Sequence, residues 1–309
     1  MSLRAVIQKL IPRWLYRKLQ VLRRQLANWR FAKVQGRTEV RVGKFSLIAP
    51  SNHILVKIGN TQRLRDKAIG VVAAELGHAC PERPFIDVGA NIGDTAAMMA
   101  TFAPNPIIAV EPSDFFHEFL VANAARIPTV RQVIKTMISG RQREEGVLVH
   151  QGGTAHFERI EGAGVSQECR SLEEAAGDAA CFVKIDTDGF DLSIIEDSID
   201  YLARSLPVLY FEEYLTTRGL LDAAERVISL LTARGYTHFI VFDDVGNLLC
   251  ATDSINDIFP LNDALFRNLT GPEDKGPYNY DVLCVSAADE NVFRAVRSHY
   301  VAAQSPAPE

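Results

Sequence analysis

Between Phe85 and Asp94 the chain reads Phe-Ile-Asp-Val-Gly-Ala-Asn-Ile-Gly-Asp. An apolar strand runs straight into a turn with two glycines, and residues 95–101 have the makings of a helix opening behind it. Strand, glycine bend and helix in direct succession begin a βαβ unit, which commits the chain to an α/β architecture. Gly89 and Gly93 carry no Cβ, so the backbone N–H groups and the helix N-terminus are expected to approach a ligand closely. A second apolar strand, Pro106-Ile107-Ile108-Ala109-Val110, ends in Glu111 and Pro112. An acid at the tip of that strand suits a ribose, because one carboxylate accepts hydrogen bonds from two neighbouring hydroxyls. The pair of features points to a cofactor containing a nucleoside. A plain strand-to-helix turn is the alternative, and Glu111 at this distance weakens it.

The turn also discriminates between cofactors. A dinucleotide fingerprint places its glycines where a pyrophosphate touches the backbone. Here the order is Gly89-Ala90-Asn91-Ile92-Gly93, flanked by Asp87 and Asp94, with no lysine or arginine in the turn. Such a site repels a pyrophosphate and attracts a cofactor carrying an amine and a sulfonium. S-adenosylmethionine fits that charge pattern and NAD fits it poorly.

Two further strands follow: Phe182-Val183-Lys184-Ile185, running into the acidic turn Asp186-Thr187-Asp188-Gly189-Phe190-Asp191, and Pro207-Val208-Leu209-Tyr210-Phe211-Glu212. Together with the Asp-Val-Gly-Ala-Asn-Ile-Gly-Asp turn and the Ala-Val-Glu-Pro strand end, they resemble the FkbM family of S-adenosylmethionine-dependent methyltransferases. The likeness runs from about Phe85 to Tyr214. It includes the blocks Ile138-Ser139-Gly140, Gly152-Gly153-Thr154-Ala155 and Arg170-Ser171-Leu172-Glu173-Glu174. The chain departs from the family pattern where Thr187-Asp188 and Phe190-Asp191 replace valine-glutamate and alanine-glutamate. The resemblance implies a Rossmann-like, doubly wound, mostly parallel sheet of the class I methyltransferase type, with an antiparallel strand near its C-terminus. It also implies a hydroxyl acceptor on a sugar, a glycan or a natural product.

In an open parallel sheet, ligands bind outside the carboxyl ends of the strands. Asp87, Glu111, Asp186 and Glu212 stand at four such ends and are expected to ring one crevice. Asp87, Gly89, Ala90, Asn91, Gly93 and Asp94 are assigned to the methionine part of the cofactor, and Glu111 with Pro112 to its ribose. Ser139 and Gly140 are candidates for the adenine edge, an ordinary turn being the alternative. Methyl transfer to oxygen needs alignment and removal of the hydroxyl proton. Asp186 is the first candidate for that task, and Asp188 the second acid of the same turn. Lys184 shares a strand face with Asp186 by the period of two; it either keeps that carboxylate ionised or is a structural partner. His156, in a glycine-rich segment expected to arch over the site, is the histidine candidate. Magnesium on Asp186, Asp188 and Glu212 is a further option, set against acids hydrogen-bonded to loops.

The net charge of −5 hides an asymmetry, since up to Lys67 the only acids are Glu39 and Asp66 among many lysines and arginines. Residues 1–31 place Leu3, Val6, Ile7, Leu10, Trp14, Leu22, Leu26 and Trp29 near helical spacing, with bases between them and a break at Pro12. Such a helix lies on an anionic membrane or packs on its own domain or a second subunit, as in a homo-oligomer. A nucleic-acid arm is disfavoured by the acidic remainder. The expected organisation is a basic helical arm over residues 1–35, a small β/α extension over 36–80, a methyltransferase domain over 81–301 and a disordered tail over 302–309. Helices are expected over residues 66–76, 115–125, 194–203, 221–234 and 290–301, a third strand over 129–138, and a hairpin around Asp243-Asp244-Val245-Gly246. Five scattered cysteines without ligand spacing, and no apolar run of spanning length, suggest a cytoplasmic protein, peripheral on the membrane if the arm binds there. A lipid-linked glycan would then be a natural acceptor. Two other functions compete: a methyltransferase scaffold that binds without turnover, and a Rossmann oxidoreductase.

Overall fold

The structure, a computed structural model, describes residues 13–34, 36–58, 67–151, 153–160, 162, 164–177, 180–271 and 276–304. The expected break at Pro12 lies outside them, as do residues 305–309 of the expected tail, whereas residues 302–304 of that tail belong to the last helix. In chain order the elements begin with α1 (Arg13–Val34), β1 (Arg37–Val42), β2 (Phe45–Pro50), α2 (Ile54–Ile58), α3 (Lys67–Ala79), β3 (Phe85–Val88), α4 (Asp94–Phe102), β4 (Ile107–Val110), α5 (Asp114–Ala124) and β5 (Val130–Ile134). Next come β6 (Met137–Ile138), β7 (Arg143–Gln151), β8 (Thr154–Arg159), β9 (Ser166–Arg170), α6 (Leu172–Ala176), β10 (Phe182–Ile185), α7 (Asp191–Asp197), α8 (Ile199–Ser205) and β11 (Val208–Glu213). The chain closes with α9 (Arg218–Ala233), β12 (Tyr236–Asp243), β13 (Leu248–Thr252), α10 (Ile255–Thr270), β14 (Tyr280–Ser286) and α11 (Glu290–Gln304).

The main sheet has the order β13-β12-β14-β11-β10-β3-β4-β5. Strands β5, β4, β3, β10 and β11 are mutually parallel, while β14 runs antiparallel to both β11 and β12. This is the α/β, doubly wound, mostly parallel sheet expected, including the antiparallel strand near the C-terminus. The strands are apolar on both sides because helices cover both faces. Phe85, Ile107, Phe182 and Val208 point to one face, against α3, α4, α5 and α11. Their neighbours Ile86, Ile108, Val183 and Leu209 point to the other, against α6 to α10. Burying a side chain such as Phe85 or Phe182 completely stabilises the fold by about 1.5–3 kcal/mol.

Sequence-local signals set the helix boundaries. Ser113 caps α5 by accepting from the Phe116 N–H, and Ser171 with Glu174 closes a capping box on α6. The third strand is divided: β5 stops at Ile134, and Met137–Ile138 pairs instead with β9 in a second sheet of order β6-β9-β7-β8. The stretch expected as one helix over 194–203 is two, α7 and α8, meeting at Ser198. Helix α10, with Pro260 inside it, is an element the sequence reading did not contain. Residues from the β1–β2 hairpin and α3, among them Leu47, Ala49, Ile69 and Leu76, enter the same core as Phe85.

Helix α1 lies against the second sheet. Val21 packs with Val147, Val149 and Ile160, and Phe31 meets Phe115 edge-on at 5.4 Å between ring centroids. Asn28 grips the backbone of β7 from both sides, donating to the Leu148 carbonyl (2.6 Å) and accepting from the His150 N–H (3.1 Å). Arg24 pairs with Glu158 at 2.5 Å. Among the described residues no helix is long and apolar enough to cross a membrane.

Candidate active site

The carboxyl ends of β3, β4, β10 and β11 open into a cleft of about 280 Å³, which β7, β8 and the start of α2 enclose. Its floor is one buried cation between two acids. Parallel pairing of β10 with β3 sets Lys184 level with Asp87, so the two side chains leave the sheet on one face. The period of two brings Asp186 to that face as well. Lys184 Nζ lies 3.3 Å from Asp87 Oδ1 and 3.3 Å from Asp186 Oδ2. Burial disfavours the ammonium, yet Asp186, Asp87 and Asp94 outweigh it and hold its pKa well above the ordinary value. Lys184 is therefore charged. Asp87 is fully buried and its oxygens accept no well-formed hydrogen bond, so the ion pair is their compensation. Asp186 is at the rim of the pair, with its side chain 46% exposed toward the cleft.

The glycine turn behaves differently from the expectation. The Gly89 and Ala90 N–H groups both donate to the Val110 carbonyl, Gly93 N–H donates to Ala90, and Asn91 N–H donates to Glu111 Oε2 at 2.9 Å. Four donors of the turn are spent inside the protein. The absent Cβ at Gly89 makes room for the chain rather than for a ligand: one built there lies 1.8 Å from the Asp186 carbonyl oxygen, and φ is +79°. The turn thus lets the ends of β3 and β10 touch.

Glu111 is held from both sides, Oε1 accepting from the Ser113 N–H (2.8 Å) and Oε2 from Asn91. Burial pushes its carboxyl up to about 7, although those two N–H groups favour the ionised form. Each oxygen keeps a further lone pair for a hydroxyl. Asn91 is positioned in turn by His53, whose Nε2 is 3.3 Å from Asn91 Oδ1, and its amide donates to the Gly153 carbonyl (3.2 Å). The Leu55 N–H donates to His53 Nδ1, so the proton of the neutral ring sits on Nε2 and points at Asn91. Burial pushes His53 down to about 4, which keeps it in that neutral form. No motif announces His53 in the sequence; its only signal is a polar residue between the β2 strand and an apolar run.

The opposite wall is acidic. Glu212, Asp244 and Asp281 line it together with Asp186 and Asp188, and Asn279 donates to Glu212 Oε1 at 2.5 Å. Burial raises the Glu212 pKa well above the carboxylate range, and the charges of Asp186, Asp191 and Asp281 add to it. The turn after β10 is organised by buried Asp191, which accepts from the Thr187 N–H, the Thr187 hydroxyl (2.9 Å) and the Gly189 N–H. That role was also missed, and an acid two residues after a glycine is its only trace. Asp188, with φ +53°, accepts from the Thr154 hydroxyl and so ties β8 to this turn.

Of the residues singled out from the sequence, Gly89, Asn91, Asp94, Glu111, Pro112, Lys184, Asp186, Asp188 and Glu212 line the cleft. Six do not. Asp87 lies beneath Lys184, and Ala90 and Gly93 are turned into the protein. Ser139 donates to Glu144 (3.1 Å) and the Gly140 N–H to Asp197 (2.8 Å), facing away from the cleft, whose wall there is Thr136, Met137 and Ile138. His156 is on strand β8 opposite Val149 rather than on an arching loop. The metal option also finds no support: among the described residues no group of three or more His, Cys, Asp or Glu side chains is placed to hold an ion.

No protein-family model matches the chain, and no curated protein matches it. Among solved structures it is similar to the methyltransferase FkbM of Methylobacillus flagellatus KT, at 16% identity and a TM-score of 0.41. That likeness covers 66% of this chain and 44% of the other, so the chain spans less than half the length of the FkbM structure. It is similar to the O-methyltransferase of Bacillus cereus in complex with SAH at 13% identity and a TM-score of 0.39, over 71% and 81% of the two chains. TYW2 of M. jannaschii in complex with AdoMet is similar at 12% identity and a TM-score of 0.40, over 80% and 84%.

Proposed function

We propose that this protein is an S-adenosylmethionine-dependent methyltransferase whose acceptor is a hydroxyl of a sugar, glycan or natural product. The observation that carries the reading is the floor of the cleft, where one buried lysine is outnumbered by the acids around it. A cationic sulfonium and amine suit that surplus of negative charge, whereas a dinucleotide would need the turn's N–H donors that are already engaged. Glu111 would hold the ribose hydroxyls, Asn91 and Asp94 the methionine end, and Met137 and Ile138 an apolar wall for adenine. The cofactor supplies a methyl group already activated by positive sulfur.

The chain's own contribution is to align the acceptor and take its proton. Asp186 is paired with Lys184 at 3.3 Å and faces the cleft, so it accepts the hydroxyl hydrogen bond and, as transfer proceeds, the proton. Glu212, whose protonated form burial favours, would donate to a second acceptor oxygen. The five cysteines are free thiols, in keeping with a cytoplasmic enzyme. Incubating the protein with methyl-labelled S-adenosylmethionine and fractionated cell extract tests the proposal. Label in a base-stable ether of a glycan or small metabolite is expected. Label confined to protein or nucleic acid would refute the acceptor class, and cofactor binding without any labelled product would leave a scaffold that binds only.

A further inference from the structure

Helix α1 has two faces of opposite character, and only one of them is used by the fold. Val21, Arg24, Asn28 and Phe31 recur at intervals of three and four and make the contacts with the second sheet and α5 described above. Leu19, Leu22, Leu26 and Trp29 recur at the same intervals, each two residues before one of these, which turns them about 160° around the helix to its far side. Their exposures are 46%, 52%, 49% and 55%. Four large apolar side chains in one exposed row are more than scattered surface residues, and nothing in the described chain covers them.

Charge decides what does. Residues 13–34 carry seven lysines and arginines and no acid. Arg23 and Arg30 are exposed along one border of the row, and Lys33 is on it, with Nζ 4.0 Å from the Trp29 ring centre. A second copy stacking row on row would bring like charges together without an acid between them. Nucleic acid would meet the bases but has no use for a row of leucines. An anionic lipid surface satisfies both, taking the leucines and Trp29 at the headgroup boundary and the bases at the phosphates. We propose that the Leu19–Leu22–Leu26–Trp29 face of α1 seats the protein in plane on an anionic membrane. The opposite face stays fastened to β7, so the helix does not detach to do so. Because β7 also lines the cleft through Leu148, the contact sets the site beside the lipid headgroups.

Co-sedimentation of the full chain tests it, with vesicles of phosphatidylcholine alone or with about a third phosphatidylglycerol. The expected result is pelleting with the anionic vesicles only, reversed by high salt, with a blue shift of Trp29 emission in a Trp14→Phe background. Leu22→Asp with Leu26→Asp, and separately Arg23→Glu with Arg30→Glu, are expected to lower partitioning by about tenfold or more each without lowering the melting temperature. Protein left in the supernatant with anionic vesicles would overturn the proposal. So would pelleting that both double variants retain. A concentration-dependent dimer in sedimentation velocity, abolished by Leu22→Asp, would instead assign the face to a second copy.

Discussion

Under the proposed function, Glu111 would tie cofactor binding to pH at a single carboxyl. Burial puts it at about 7, so near neutrality the free protein is divided between the acid and the carboxylate. In the proposed function the carboxylate form holds the ribose hydroxyls, so binding below that pH would release a proton. Affinity for S-adenosylmethionine is therefore expected to weaken by about tenfold in all as pH falls from about 8 to about 6, most of the loss falling below about pH 7. Titration calorimetry should show this in the wild type and a weaker, flat profile in Glu111→Gln. Asp186 is separable from that function. Asp186→Asn keeps the shape and removes the proton acceptor, so turnover should drop by about 10²–10⁴ while the Kd for the cofactor changes little. A parallel loss of cofactor affinity would mean that Asp186 serves the donor instead. The place of both acids in the cleft was legible from the sequence, because each stands where an apolar strand ends. His53 and Asp191 were not, since their partners, Asn91 and the Thr187–Gly189 backbone, are chosen by folding.

At the scale of elements, the strand–turn–helix unit was readable but its reason was not. The glycine pattern signals a backbone conformation, and the same pattern serves a ligand or a neighbouring strand. Here the neighbour is the end of β10. Gly89→Ala is accordingly expected to act on stability first, by a few kcal/mol, since the added Cβ meets backbone rather than a yielding side chain. A lowered melting temperature in the absence of cofactor would show it, and unchanged melting with lost binding would return Gly89 to the ligand. The second sheet was hidden for a different cause. Strand β9, Ser-Gln-Glu-Cys-Arg, is mostly polar and β7 sets three consecutive apolar residues, Val147-Leu148-Val149, between polar ends, so neither gives a clear period of two. Helix α10 was masked by Pro260, which reads as a breaker although an apolar face surrounds it.

Over the whole molecule, the mostly parallel sense of the main sheet was recoverable because its strands up to Tyr214 are separated by helical segments, whereas the sequence reading contained no strand order. The pairing of buried acids across elements was not. Glu213 shows the consequence for stability. It is fully buried on β11, its nearest polar partner is the Asn262 amide at 3.5 Å, and burial pushes it up to about 8. Its folded value exceeds the ordinary 4.5, so the native state binds this proton more tightly than the unfolded chain. The stabilisation is complete at low pH and is lost as pH rises through about 8. Thermal melts should show a larger fall between about pH 6 and about pH 9 for the wild type than for Glu213→Gln.

The claim on which the account rests is that the Lys184-centred cleft receives a cationic nucleoside donor. Titration calorimetry of the full chain with S-adenosylmethionine and with NAD, repeated on Glu111→Ala, tests it most directly. Saturable binding of S-adenosylmethionine that the substitution abolishes, with no heat from NAD, is the predicted result. Binding of NAD alone, or of S-adenosylmethionine with equal affinity to both proteins, would contradict it.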